Sequence, residues 1–306
     1  MKKKVICLIG PTAVGKTDVA LSLARKLGAE IISCDSMQVY KSVKIASAKP
    51  NRAQRRSIPH HLIDIIPPSQ EFDVARFCSL ARKAISAIHK KDKIPLLVGG
   101  TGLYLQALLD GLFKGPGQNP DLRRKLYSQA EKYGCAYCYK RLKRLDPQAA
   151  CAIHPHDLRR IVRALEVYLL SGKTITELKK RSHGLKDRFD CYLFGLQRNR
   201  NLLYQRIEKR VESMFRRGLV AEMRRLKRRK VSKTAQSLLG YKEVLGFLNG
   251  RYSLEEAKRL LKLDTRRYAK RQLSWFRREK GIRWIEVGPE DAPEAIAESI
   301  ISILGC

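Results

Sequence analysis

The stretch VICLIGPTAVGKT, residues 5–17, limits the possible folds more than any other part of the chain. A β-branched run from Val5 to Ile9 leads into Gly10, four further residues, and Gly15-Lys16-Thr17. This is the G-x-x-x-x-G-K-[ST] spacing of a phosphate-binding loop set between a strand and a helix. Its glycines let successive backbone N–H groups turn inward around an anion, and the helix behind presents its positive N-terminal end. Gly10, Pro11, Thr12, Ala13, Val14, Gly15, Lys16 and Thr17 are therefore the expected phosphate-binding residues, with Lys16 on the outer oxygens and the Thr17 hydroxyl on Mg²⁺. VALSLARKL then continues with the period of an amphipathic helix, which a chance glycine turn does not require. The loop predicts a bound phosphate without saying whose.

Strand-length apolar runs alternate with helical patterns through the first third of the chain. VICLIG reads as a strand, TDVALSLARKLG as a helix closed by Gly28, EIISCD as a second strand, and RFCSLARKAISAIHKKDK as a long helix leading into the strand IPLLVGG. That order predicts an α/β fold, a parallel phosphate-loop NTPase-like sheet with helices on both faces. Residues 115–187 read as a mainly helical insertion; CYLFGLQ (191–197) and IRWIEV (282–287) have strand character again. The expected organisation is a core of 1–114 and 188–306, carrying basic C-terminal helices, interrupted by the 115–187 insertion. MKKKVICLIG mimics a signal peptide with its lysines, but its apolar run stops after five residues at the phosphate loop, so it is expected to be the first strand instead. No other run reaches bilayer-spanning length, so a cytoplasmic protein without membrane contact is expected.

Charge narrows the partner. With 63 Lys+Arg against 29 Asp+Glu, the formal net charge is +34, far beyond what solubility needs. FRRGLVAEMRRLKRRK (215–230) and TRRYAKRQLSWFRREK (265–280) keep apolar residues at helical spacing, so their charge lies on the outer faces of packed helices. Unbalanced basic helices on a folded enzyme point to nucleic acid more than to an ordinary solvated face. The aromatics Trp275 and Phe276 sit at a spacing that reads as core rather than as a base-stacking platform.

In a parallel sheet, ligands bind beyond the carboxyl ends of the strands. Asp35 leaves the second strand there, in IISCDSMQVYK, and Thr101 follows Gly99-Gly100 in LLVGGTGLY. On position alone, Asp35 is a functional carboxylate beside the phosphate loop, with a turn-capping residue or a Walker-B-type carboxylate on magnesium as the other readings; Thr101 is a turn hydroxyl or a ligand. The eight cysteines are scattered and fit reduced thiols. Cys135-x-x-Cys138 with Cys151-x-x-His154 has the spacing of a zinc set, but neither pair carries a glycine knuckle, so thiols are the favoured reading.

GPTAVGKT, CDSMQVYK, AKP (48–50), PHHLID (59–64), LLVGGTGLY, HDLRRIVRALEV (156–167), LLGYKE (238–243) and AKRQLSWFR (269–277) together resemble the bacterial tRNA dimethylallyltransferases, or tRNA isopentenyltransferases, over nearly the whole chain. The resemblance implies that the phosphate loop holds dimethylallyl diphosphate, whose prenyl group passes to N6 of the adenosine 3′-adjacent to the anticodon. It implies Asp35 as the base for the N6 proton, Thr101 beside the transferred group, and Arg224 of GLVAEMRRL as an arginine on the departing diphosphate. It implies that Asp35, Ser36, Met37, Gln38, Thr101, Arg123, Arg159, Arg160, Ile161, Val162 and Arg163 face tRNA. The partners it implies are the tRNA anticodon stem-loop and dimethylallyl diphosphate with Mg²⁺, bound by a monomer. Ala46-Ser47 stands where Gly-Thr is common in the family, and His156 where Asn is usual. The competing reading is a phosphate-loop kinase or nucleic-acid-dependent ATPase, with ATP in the loop and Asp35 on magnesium.

Overall fold

The computed structural model describes residues 2–113 and 115–305; Met1, Lys114 and Cys306, which bound the expected segments, lie outside the described residues. The chain divides into two compact units, Met1–Leu109 with Leu185–Cys306, and Asp110–Gly184.

The larger unit is built on a six-stranded sheet in the order β3-β2-β4-β1-β5-β6, with every pairing parallel. The strands are β1 (Lys4–Ile9), β2 (Glu30–Cys34), β3 (His60–His61), β4 (Pro95–Gly99), β5 (Asp190–Gln197) and β6 (Ile282–Glu286). This is the phosphate-loop NTPase-like sheet expected from the sequence. The continuous apolar strands are buried because helices cover both faces. Ile6, Leu8, Ile31, Leu96, Phe194 and Leu196 share one cluster with Val19 and Leu23 of the helix Lys16–Leu27 and Ile296 and Ile300 of the helix Pro293–Leu304. Gly28, at φ 61°, closes the first of these helices. The two-residue β3, in PHHLID, is too short to give an alternating pattern and was not expected as a strand.

Register places the functional ends of three adjacent strands at one level. Gly99 of β4 lies opposite both Ile9 of β1 and Cys34 of β2. The residues that follow, Gly10, Asp35 and Gly100, therefore leave the sheet side by side.

The smaller unit contains the helices Pro120–Tyr133, Cys135–Leu145, Pro147–Ala152, Leu158–Ser171 and Ile175–Lys180. Leu126, Cys138, Leu142, Ile161, Val162 and Leu165 form its core. Beneath them, the fully buried Glu166 accepts Arg123 Nε and Nη2 at 2.9 Å each, Arg163 Nη1 at 2.7 Å and the Asn119 N–H at 2.8 Å. Burial pushes this carboxyl up, but those donors outweigh it and hold its pKa below the ordinary value. Among the described residues, no helix is long and apolar enough to cross a membrane.

Candidate active site

The phosphate loop joins β1 to the helix Lys16–Leu27. Ala13 at φ 65° and Gly15 at φ 116° turn the backbone so that peptide N–H groups converge, and Gly15 holds a conformation that side chains rarely adopt. Among the described residues, no acceptor takes the N–H groups of Ala13, Gly15, Lys16 or Thr17. Together with the helix end they form an anion cradle. The Lys16 ammonium donates to Gly10 O at 2.9 Å and Pro11 O at 2.7 Å. Burial and then the charge of Arg210 push its pKa down to about 7, against a smaller opposing pull from Asp35.

This loop forms one end of a cavity of about 460 Å³. Thr12, Lys16, Thr17, Arg206, Lys209 and Arg210 give it a cationic, hydroxyl-bearing end. Ile31, Ala48, Pro50, Ile63 and Val98 give it an apolar wall, and Asp35, Gln38 and Tyr268 also line it. The arrangement suits a ligand with an anionic head and a small apolar body.

Asp35 is held by its own turn. Its Oδ1 accepts Met37 N–H at 2.8 Å and Gln38 N–H at 3.3 Å, leaving Oδ2 without a protein donor among the described residues. Thr101 Oγ1 accepts Ser36 N–H at 3.2 Å, which ties the turn after β2 to the turn after β4. The Tyr268 hydroxyl meets Thr101, and burial followed by the nearby Asp35 charge pushes that phenol's pKa up. Asp35, Thr101 and Tyr268 thus form one polar cluster at the cavity.

The structure separates the other expected residues. Ile161 and Val162 are buried core residues, so in that stretch only Arg159 and Arg160 offer exposed side chains. Arg123 and Arg163 are engaged by Glu166. Arg224 is exposed on the helix Leu219–Lys227 and does not line the cavity. Arg210, from the helix Arg200–Arg216, does line it, and no separate motif had marked that residue. Glu222 was likewise unmarked: its buried carboxylate accepts the N–H groups of Lys44, Ile45 and Ala46 at 2.8–3.0 Å, fixing the loop that carries Ala48 and Pro50. A lone acid in a run of arginines was the only available signal.

Phe276 is fully buried, whereas Trp275 is half-buried against Gly102. Cys138 is buried, Cys135 Sγ meets Pro155 O at 3.1 Å, and Cys151 and His154 are exposed. Among the described residues, no cluster of three or more His, Cys, Asp or Glu side chains is arranged to hold a metal.

Residues 38–279 match the profile of the IPP transferase family, and residues 3–64 match that of the isopentenyl transferases. The chain is 48% identical over 297 residues to a tRNA dimethylallyltransferase of Halothermothrix orenii, a match covering 96% of this chain and 90% of that one. The crystal structure of full-length tRNA isopentenylpyrophosphate transferase from Bacillus halodurans superposes with a TM-score of 0.71 at 38% identity, covering 100% of this chain and 97% of that one. A eukaryotic dimethylallyltransferase, solved acting on tRNA, gives a TM-score of 0.78 at 33% identity, covering 98% of this chain and 80% of that one. With a phosphate loop opening into a partly apolar cavity and relatives of this kind along its whole length, the chain belongs to the tRNA dimethylallyltransferase family.

Proposed function

We propose that this protein transfers the dimethylallyl group of dimethylallyl diphosphate to N6 of the adenosine 3′-adjacent to the anticodon in tRNA. The observation that carries this reading is one cavity lined by the phosphate cradle, by apolar side chains and by Asp35 and Tyr268, the turn of the first and the hydroxyl of the second both tied to Thr101 just beyond the lining. An energy-coupling ATPase has no need of the apolar wall of Ile31, Ala48, Pro50 and Val98, whereas a five-carbon prenyl group fits against it.

The reaction forms a bond from N6 to the allylic carbon and breaks that carbon's bond to oxygen, so diphosphate leaves with the electron pair and N6 loses a proton. Negative charge grows on the departing oxygen, where the loop N–H groups, Lys16 and Arg210 neutralise it. The exocyclic amine is a poor nucleophile because its lone pair is delocalised into the purine. Asp35, held through Oδ1 and open at Oδ2, accepts the N6 proton as the new bond forms. Thr101 and Tyr268 hold the amine and the carboxylate in register.

The residues present fit magnesium bound jointly with diphosphate: a hard cation is satisfied by the Thr17 hydroxyl, substrate oxygens and water, without a protein cage. When bound, it adds to the neutralisation of the leaving diphosphate. The net charge of +34 supplies the field for tRNA, with Arg159 and Arg160 among the exposed contacts. Flipping an adenosine out of an anticodon loop costs about a few kcal/mol, less than from a duplex.

The test supplies labelled dimethylallyl diphosphate, Mg²⁺ and unmodified tRNA, with labelled ATP in parallel. The expected result is label on the adenosine next to the anticodon. RNA-stimulated ATP hydrolysis without prenyl transfer contradicts the proposal and favours the kinase or ATPase reading.

A further inference from the structure

Gln272 lies on the helix Leu254–Phe276, far along the chain from both strand ends that it touches. It is buried, and both ends of its amide are used. Oε1 accepts the Thr12 N–H of the phosphate loop at 2.8 Å, while Nε2 donates to Gly100 O, in the turn that carries Thr101, at 2.8 Å. The amide has only one productive orientation, since rotating it would set N–H against N–H and carbonyl against carbonyl. Gly100 is shaped to receive it: a Cβ at that position would collide with Nε2. One helical turn earlier, Tyr268 presents its hydroxyl to Thr101 on the same helix face. A single face thus touches the phosphate loop through Gln272 and the Asp35–Thr101 cluster through Tyr268.

We propose that Gln272 is a positioning residue, whose amide sets the distance between the diphosphate loop and the Asp35–Thr101 cluster and so aligns the allylic carbon with N6. This rests on the prenyl-transfer reading above. The physical argument is one of alignment. The reacting atoms belong to two substrates held by two different strand ends, and an error of about 1 Å between such elements can cost 10²-fold in rate. Strand register fixes the levels of Ile9, Cys34 and Gly99, but the backbone beyond those residues has left the sheet. Gln272 supplies the hydrogen bonds that span this gap.

Three proteins are compared: the wild type, Gln272→Met and Gln272→Glu. Methionine keeps the length and removes both hydrogen bonds. Glutamate keeps an acceptor for Thr12 N–H but donates to Gly100 O only when protonated, so its activity relative to wild type must rise as pH falls. The expected results are a kcat for Gln272→Met lower by about 10- to 10²-fold, with tRNA affinity retained. The Gln272→Glu to wild-type kcat ratio should increase steadily from about pH 8 down to about pH 5.5, across the range where a buried carboxyl can titrate. Gln272→Met within about twofold of wild type in kcat, or a flat Gln272→Glu ratio, overturns the proposal. If the methionine variant fails to fold, as judged by thermal melting, the glutamate ratio alone decides. A wild type that transfers no label refutes the prenyl-transfer reading itself, whereas a wild type that transfers label alongside an equally active Gln272→Met refutes only the role given to Gln272.

Discussion

Both the cavity and the helical unit gather positive side chains, and they use them in opposite ways. In the helical unit, Arg123 and Arg163 close on the buried Glu166, so their charge is spent inside the fold. At the cavity, Lys16, Arg206, Lys209 and Arg210 have no carboxylate within ion-pair distance among the described residues. Asp35 is near enough to influence Lys16 and Arg210, but it is fixed by backbone N–H groups. A fold tolerates unpaired cations in a cavity when an anionic ligand completes them, and it pairs the ones that hold the structure together. Arginines that look alike in sequence are thus separated by whether the fold gives them an internal counter-charge.

The largest effect that follows falls on the cavity. Lys16→Ala should slow prenyl transfer by about 10²-fold or more, and Arg210→Ala should slow it by about tenfold or more. Melting temperature and tRNA affinity should hardly change, as kinetics, calorimetry and filter binding would show. Loss of tRNA binding ahead of diphosphate binding would break the contrast.

Glu166→Ala should do the reverse. Removing a buried carboxylate strands two guanidiniums, at a cost of about 2–4 kcal/mol. The lower end applies because the arginine side chains keep 27% and 30% of their exposure. Because the folded pKa of Glu166 lies below its unfolded value, its stabilisation is present above the ordinary carboxylate pKa and is lost as pH falls through the folded value. Chemical denaturation from neutral to acid pH should show wild type and variant converging, while the variant's diphosphate affinity stays near wild type.

A smaller effect concerns pH at the cavity. Lys16 titrates at about 7 without ligand, and a bound diphosphate raises that value, so binding takes up a proton above neutrality. Diphosphate affinity should be steady below pH 7 and fall by up to about tenfold per pH unit above it, until the pKa of the bound form is reached. Calorimetry in buffers of different ionisation heat reads the proton directly. The smallest effect is expected for Arg224→Ala, whose exposed side chain lies outside the cavity lining; diphosphate affinity should stay within about twofold of wild type.

The elements that fixed the site were largely legible because they are local. The phosphate loop, the strand ends at Asp35 and Gly99, and the run of helices between Pro120 and Lys180 each carry their signal within a short window. Gln272, Arg210 and Glu222 were not legible, because their roles depend on partners brought to them by tertiary structure, such as the Thr12 N–H or the Lys44–Ala46 backbone. Within AKRQLSWFR, helical spacing marks Phe276 as core, but a single glutamine carries no local sign that the fold brings it a loop N–H and a carbonyl. Ile161 and Val162 carried a readable signal: in HDLRRIVRALEV, Ile161 and Leu165 are four residues apart on the apolar face, while Arg159 and Arg160 point outward.

The central claim, that one cavity holds diphosphate at its cationic end and accepts a proton at Asp35, is tested most directly by Asp35→Asn. The substitution keeps the size and the Oδ1 acceptor for Met37 and Gln38 N–H but cannot take a proton. The measurement pairs single-turnover transfer with the Mg²⁺-dependent affinity for dimethylallyl diphosphate. The account predicts transfer slowed by about 10²-fold or more, with diphosphate affinity and its magnesium dependence nearly unchanged. A large loss of diphosphate affinity and a raised magnesium requirement, with the transfer step spared, would instead make Asp35 a metal ligand and contradict the account.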